Sequence, residues 1–176
     1  MKLYVLNPTS PSCGVVRIVA DMAGQKLDVQ VVDEAFRKSA EWKGMMTYDS
    51  FPLLKTDEGC LQQSSAICAY LATLAGGKLL GATATERAQV DQWVSYANST
   101  ITPTASIVST GIFGWGDVQQ NDWNEASKNL KAHLKVMNTA LEGKKWLAGD
   151  EASVADVIVA AALMLNFQTT LDAGFR

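Results

Sequence analysis

The chain has 176 residues, of which 48% are hydrophobic and 19% are charged, and its net charge at pH 7 is -3. This length and apolar content predict one or two small domains with a sizeable core. The sequence has no basic block, which argues against direct nucleic-acid binding through phosphate contacts. No apolar run is long enough to span a bilayer, so we expect no membrane insertion.

The cysteine and histidine content restricts the chemistry. The chain has 3 cysteines, none of them in a CxxC pair, and 1 histidine, His133. With no recognisable secretory segment, an odd number of cysteines predicts reduced thiols and a cytoplasmic location. One histidine supplies neither a histidine-based metal site nor a Ser-His-Asp triad, so we predict no metal. We interpret His133 as a surface residue of an amphipathic helix.

Strand and helix patterns alternate in the first part of the chain. Residues 2–7 and 27–32 have the composition of strands, and a helical pattern over 13–23 lies between them and ends at Gly24. Residues 35–46 have an ambiguous pattern that we interpret as partly helical. With the segment that follows, the order is β-α-β-α-β-β-α, which predicts a mixed sheet flanked by helices.

Residues 51–72 have the pattern of a hairpin followed by a helix. Pro52 opens a short apolar strand, Gly59 belongs to the turn, and residues 60–62 form the return strand. Ser64 is in the position of a helix N-cap. A serine hydroxyl and free N–H groups at a helix N-terminus suit a carboxylate. An ordinary capped helix is the alternative interpretation.

A break at Gly76–Gly81 separates this part from the rest, which is helical throughout. We therefore predict domains over residues 1–75 and 85–176, joined by a linker at 76–84. The predicted helices cover residues 85–108, 122–141 and 157–165, with a loop over 111–121. Pro103 is expected to kink or end the first of these helices. Ser153 and Asp156 predict a capping box before the last helix, which is nearly all apolar and is expected to be buried on all sides.

Three motifs together resemble those of the glutathione transferase superfamily. They are Ser10-Pro11-Ser12-Cys13, Phe51-Pro52 with Gln63-Ser64, and Ser153-Val154-Ala155-Asp156. Their order and spacing extend the resemblance over the whole chain. It implies the glutathione transferase fold, with an α/β thioredoxin-like N-terminal domain of order βαβαββα followed by an all-α C-terminal domain.

The resemblance also implies a binding site for glutathione. Pro52 would follow a cis peptide bond, and the backbone of Phe51 would pair with the cysteinyl part of glutathione like an added strand. Gln63 and Ser64 would hold the γ-glutamyl carboxylate. No cofactor other than this ligand or cosubstrate is implied.

Catalysis in this superfamily requires a hydroxyl or thiol that stabilises the glutathione thiolate. Ser10 aligns with the serine of serine-type transferases, and Ser12 is the alternative. Cys13 would suit a mixed-disulfide mechanism, but its position inside the helix favours a small buried hydrophobe. Tyr4 lies too early for the tyrosine-type enzymes and is assigned to the core.

The sequence departs from the superfamily pattern at two positions. Ser50 replaces the usual basic residue before the cis-proline motif, for which Lys43 or Arg37 would substitute. Gln63 replaces an acidic residue, so it brings hydrogen bonding without charge. The sequence also ends at Arg176, before the last helices of the superfamily domain, so either it is a fragment or the remainder was not retained.

Residues 88–97, 146–150 and 168–176 are similar to a branch of the superfamily, the gamma subunits of eukaryotic translation elongation factor 1B. The transferase-like appendage of some aminoacyl-tRNA synthetases is a near relative. The resemblance implies a homodimeric scaffold that docks the nucleotide-exchange subunit of elongation factor 1B. The alternatives are an active serine-type transferase, which conjugates a glutathione-type thiol to electrophiles, and an inactive fold that only dimerises. Enzymatic activity is therefore left open.

Overall fold

The structure is a computed structural model that describes residues 1–169, apart from the side chain of Gln168. The chain divides into two compact units, Met1–Leu80 and Gly81–Arg176, and each is described by itself. Most of the tail at 168–176 that contributed to the family resemblance lies outside the described residues.

The first unit contains a four-stranded sheet flanked by helices. Its elements are β1 (Lys2–Val5), α1 (Pro11–Met22), β2 (Asp28–Val31), α2 (Glu34–Lys38), α3 (Ala40–Met45), β3 (Leu53–Lys55), β4 (Cys60–Gln62) and α4 (Ser64–Leu74). The strand order is β2-β1-β3-β4, with β1 parallel to β2 and antiparallel to β3. The predicted thioredoxin-like sheet is confirmed, and the ambiguous segment at 35–46 contains two short helices.

A buried hydrophobic cluster lies against the central strands. Tyr4, Val32, Trp42 and Leu53 form this cluster, and the partly buried Phe51 packs against it. Tyr4 is only 3% exposed, which confirms its assignment to the core. The packing fixes the ring of Phe51 and, with it, the chain segment that enters β3.

The strand register brings three chain segments to one edge of the sheet. Tyr4, near the end of β1, is opposite Leu53 at the start of β3, and Leu53 is opposite Gln62 at the end of β4. Since β3 is antiparallel to both neighbours, the chain leaves β1 and β4 where it enters β3. The starts of α1 and α4 therefore lie near the segment that precedes Leu53.

The second unit is helical. Its helices are α5 (Ala84–Tyr96), α6 (Thr102–Phe113), α7 (Gln120–Ala140) and α8 (Val154–Thr169), and a π-helical segment (Ala97–Ile101) joins α5 to α6. Pro103, which was expected to kink or end the helix, lies in the first turn of α6 directly after the π-helical segment, where a missing N–H is tolerated. The helix continues to Phe113, so the loop predicted at 111–121 is shorter. Within residues 1–169 no helix is long and apolar enough to cross a membrane.

Two details of this unit differ from the sequence expectations. Asp156 accepts hydrogen bonds from the backbone N–H and the hydroxyl of Ser153, so the acidic half of the predicted capping box is present, while the serine hydroxyl donates to Asp156. α8 is not buried on all sides, because Met164 and Phe167 are 37% and 54% exposed. His133 is not a simple surface residue, since it is half-buried with its Nδ1 2.8 Å from the hydroxyl of Tyr96.

Candidate functional site

The sheet edge described above contains all the residues that the sequence assigned to a site. We call this group the sheet-edge site: Ser10, Ser12, Phe51, Pro52, Gln63 and Ser64. Ser10 and Ser12 lie at the start of α1, Phe51 and Pro52 precede β3, and Gln63 and Ser64 follow β4. The fold thus places three separate chain segments near one another.

Ser10 is the N-cap residue of α1. Its Oγ accepts a hydrogen bond from the backbone N–H of Cys13 at 3.3 Å, and the hydroxyl of Ser12 is also 3.3 Å from it. A serine hydroxyl can accept two hydrogen bonds and still donate one. When Ser12 donates to Ser10, the O–H of Ser10 remains available to an anionic ligand atom. No acidic residue lies in the first turn to oppose such an anion.

Cys13 has the properties of a core residue. Its side chain is 1% exposed, and burial raises the pKa of its thiol, an effect that the charge of Arg17 partly opposes. A raised pKa disfavours the thiolate, which is the nucleophilic form. The interpretation of Cys13 as a small buried hydrophobe is confirmed.

The Phe51-Pro52 peptide bond is cis, as the resemblance implied. The ring of Phe51 stacks on Trp42 with centroids 5.0 Å apart and 15° between the planes. Within residues 1–169, neither the backbone N–H nor the C=O of Phe51 makes a hydrogen bond. These two groups are therefore available to an extended peptide.

Gln63, not Ser64, is the N-cap residue of α4, so the predicted cap is wrong by one position. Gln63 has a φ of 71°, the one positive φ of a non-glycine among the described residues. Its side chain makes no capping bond, and its Nε2 donates to the Tyr48 hydroxyl at 2.8 Å. Ser64 is consequently the first helical residue. The first turn of α4 keeps its N–H groups free of a side-chain cap from Gln63, which favours an anion.

The backbone of Gln63 is held in a sparsely populated conformation. Such a conformation costs on the order of 1 to 3 kcal/mol and persists only where the surroundings impose it. Strained residues of this kind are concentrated at ligand sites. The position of Gln63 at the sheet edge is consistent with that pattern.

Arg37, one of the two candidates to replace the basic residue missing at Ser50, is paired with an acidic side chain. Its guanidinium forms a two-point contact with Asp49, in which Nε is 3.2 Å from Oδ1. This hydrogen bonding holds the pKa of the Asp49 carboxyl below its usual value. Lys43 is exposed on α3 and makes no ion pair with any described residue. Of the two candidate cations, Arg37 is therefore neutralised by Asp49, and Lys43 has no ion-pair partner among the described residues.

Sequence reasoning missed the role of Gln62, which it assigned only to the return strand. The Gln62 side chain accepts from the backbone N–H groups of Thr47 and Tyr48 and donates to the carbonyls of Tyr48 and Ser50. The only sequence signal for this role was the pair Gln62-Gln63 at the end of a predicted strand. No cluster of three or more potential metal-ligating side chains occurs in the described part of the chain.

Comparisons with known proteins identify the family of this chain. Family models for the N-terminal and C-terminal domains of glutathione S-transferase match residues 1–73 and 95–176. Glutathione S-transferase GST-4.5 of Xanthomonas campestris pv. campestris is 30% identical over 178 residues, which cover 98% of this chain and 85% of that protein. The chain belongs to the glutathione S-transferase family.

The relatives are of two kinds. Elongation factor 1-gamma of Danio rerio is 30% identical over 166 residues, which cover 91% of this chain but only 37% of that protein. Among solved structures, a glutathione S-transferase-I bound with lactoylglutathione has a TM-score of 0.84 at 26% identity, covering 96% of this chain and 84% of that one. A class Gtt2 transferase of Vibrio parahaemolyticus has a TM-score of 0.79 at 25% identity, with coverages of 99% and 86%.

Proposed function

We propose that this chain binds glutathione at the sheet-edge site and conjugates its thiol to electrophiles. The observation that carries the proposal is the pair of unbonded backbone groups on Phe51, beside a helix start that Gln63 leaves without a side-chain cap. An extended cysteinyl residue would pair with Phe51, and its γ-glutamyl carboxylate would accept from the first turn of α4.

Ser10 would stabilise the thiolate. A free thiol with a pKa of about 8.5 is only about 3% ionised at pH 7. A hydrogen bond that favours the charged form by about 1.4 kcal/mol lowers the pKa by about one unit and raises that fraction to about 24%. The Ser12 hydroxyl, 3.3 Å from Ser10, polarises the Ser10 hydroxyl when it donates to it.

The reaction then follows from the thiolate. The thiol proton passes to solvent, and the sulfur lone pair forms a bond to an electrophilic carbon. In a substitution, the leaving group departs with the electrons of its own bond. In an addition, the acceptor carbon takes a proton from water. The protein supplies orientation and stabilisation of the sulfur charge.

The direct test is a binding titration with glutathione followed by a conjugation assay with a chlorodinitrobenzene. Saturable binding and turnover in the wild-type protein support the proposal. If glutathione does not bind and no conjugate forms above the uncatalysed rate, the proposal is rejected.

A second proposed function rests on the similarity to elongation factor 1-gamma, which covers 91% of this chain. In this function the chain is a homodimeric, cytoplasmic scaffold that docks the nucleotide-exchange subunit of elongation factor 1B. It is compatible with the first function, because docking needs an outer surface and not the sheet-edge site. Co-purification with the exchange subunit at defined stoichiometry supports it, and failure of the purified proteins to associate rejects it.

A further inference from the structure

The loop that precedes the cis peptide is held by side chains: Arg37 bonds to the Asp49 side chain, and Gln62 bonds to the loop backbone. Outside the regular elements, no backbone–backbone hydrogen bond of the described chain involves residues 47–52. The Gln62 side chain supplies the missing contacts, with Oε1 2.9 Å from Thr47 N and Nε2 2.6 Å from the Tyr48 carbonyl. A longer contact at 3.5 Å joins Oε1 to Tyr48 N, and Nε2 also reaches the Ser50 carbonyl at 3.2 Å.

An amide side chain offers two donors and two acceptor positions, and Gln62 uses all four on this loop. The amide oxygen faces backbone N–H groups and the amide nitrogen faces backbone carbonyls, so the orientation of the amide is unambiguous. Gln62 therefore determines the path of the loop and the position of Tyr48.

Tyr48 in turn contacts Gln63, the residue that follows Gln62. Tyr48 is 47% exposed, so burial does not account for its position. Its hydroxyl accepts from Gln63 Nε2 at 2.8 Å. With Nε2 occupied, the free end of the Gln63 amide is Oε1, which makes no hydrogen bond with any described residue. A carbonyl oxygen is an acceptor only.

We infer that Gln62 and Tyr48 are positioning residues that orient the Gln63 amide, so that its oxygen accepts from the α-ammonium group of a γ-glutamyl thiol. This inference rests on the proposed function. The carboxylate of the same group would lie at the start of α4, as proposed above. The site then recognises a zwitterion with a neutral amide at the position where the family pattern has an acidic residue.

The test compares two thiols that differ only in the ammonium group. These are glutathione and glutaryl-cysteinylglycine, in which the α-amino group is replaced by hydrogen. Dissociation constants are measured for the wild-type protein, Tyr48→Phe and Gln62→Leu. Tyr70→Phe is the matched control, because the hydroxyl of half-buried Tyr70 makes no hydrogen bond among residues 1–169. Gln89→Leu on the exposed face of α5 is the control for the glutamine.

We expect the wild-type protein to prefer glutathione, and Tyr48→Phe to reduce that preference by about three- to tenfold, as the loss of one hydrogen bond predicts. Binding of the glutaryl thiol should not change. Gln62→Leu should reduce the preference at least as much, and both controls should retain it. If either variant weakens both thiols equally, or leaves the preference intact, the inference is wrong.

Amide hydrogen exchange without ligand tests the loop contact separately. Gln62→Leu should accelerate exchange at Thr47 and Tyr48, whereas Gln89→Leu should not. Unchanged exchange would overturn the role of Gln62. Failure of the wild-type protein to bind either thiol would instead reject the proposed function, so the two failures are distinguishable.

Discussion

Two helices begin at the same edge of the sheet, and their first turns differ. α1 is capped by the side chain of Ser10, which accepts from Cys13 N. α4 has no side-chain cap, and the amide of Gln63 is bonded to Tyr48. The capped start presents a hydroxyl, while the uncapped start presents backbone N–H groups. This difference is the basis for our proposal that α1 stabilises the thiolate and α4 binds the carboxylate.

The largest effect is expected at the capped helix. Ser10→Ala should lower the conjugation rate by about 10²-fold, since it removes a donor to the developing charge. It should also cost about 1 kcal/mol of unfolding free energy through loss of the cap. Both quantities are measured, by a conjugation assay and by urea unfolding.

Ser39→Ala is the matched control, because Ser39 caps α3 by accepting from Trp42 N at 3.1 Å. It should cost a similar unfolding free energy and leave the conjugation rate unchanged. If the two variants lose the same activity, the effect of Ser10 is on stability alone, and its assigned role is wrong.

At the uncapped helix, Ser64→Pro should weaken glutathione binding by about tenfold, because it removes a hydroxyl and one N–H from the first turn. Proline is tolerated at the first helical position, where the N–H has no partner within the helix. Calorimetric titration gives the dissociation constant. Gln120→Pro at the first position of α7 is the control, and equal losses in both variants would refute the assignment.

A smaller and opposite effect on stability is expected at the strained residue. Gln63→Gly should raise the unfolding free energy by up to about 1 kcal/mol, because glycine adopts a positive φ without steric cost. It should weaken glutathione binding at the same time. Ala75→Gly, at a position with a φ of -88°, should be destabilising. A loss of stability in Gln63→Gly would show that its backbone is not strained.

The smallest effect concerns the Arg37–Asp49 pair. Hydrogen bonding to Arg37 holds the folded-state pKa of Asp49 below its unfolded value. The pair therefore stabilises the fold above the unfolded pKa of about 3.9, and this contribution is lost as the pH falls through the folded-state pKa. Asp49→Asn should make the stability less dependent on pH below about 4. An unchanged pH profile would contradict the pair, with Asp57→Asn in the exposed turn as the control.

Local patterns were sufficient to predict the sheet and the general position of the site. The family resemblance implied the cis bond at Phe51-Pro52, and the hairpin over residues 51–62 indicated two antiparallel strands. The cap of α4 was misplaced because the positive φ of Gln63 depends on a partner fifteen residues earlier in the chain. A pattern of residue types contains no information on such a contact.

Other features depended on tertiary packing in the same way. The pairing of Arg37 with Asp49 joins two segments whose spacing is not helical. Val31 is exposed because β2 is an outermost strand of the sheet, although its residue pattern is that of a half-buried strand. Strand composition was thus predictable, whereas edge position and long-range side-chain bonds required the structure.

The central claim is that the two helix starts and Phe51 form one glutathione site, and a crystal structure with bound glutathione tests it most directly. We predict that the cysteinyl backbone pairs with the N–H and C=O of Phe51, the γ-glutamyl carboxylate accepts from the first turn of α4, and the sulfur lies within hydrogen-bond distance of the Ser10 hydroxyl. Glutathione bound elsewhere, or an empty sheet-edge site at saturating glutathione, would contradict the account.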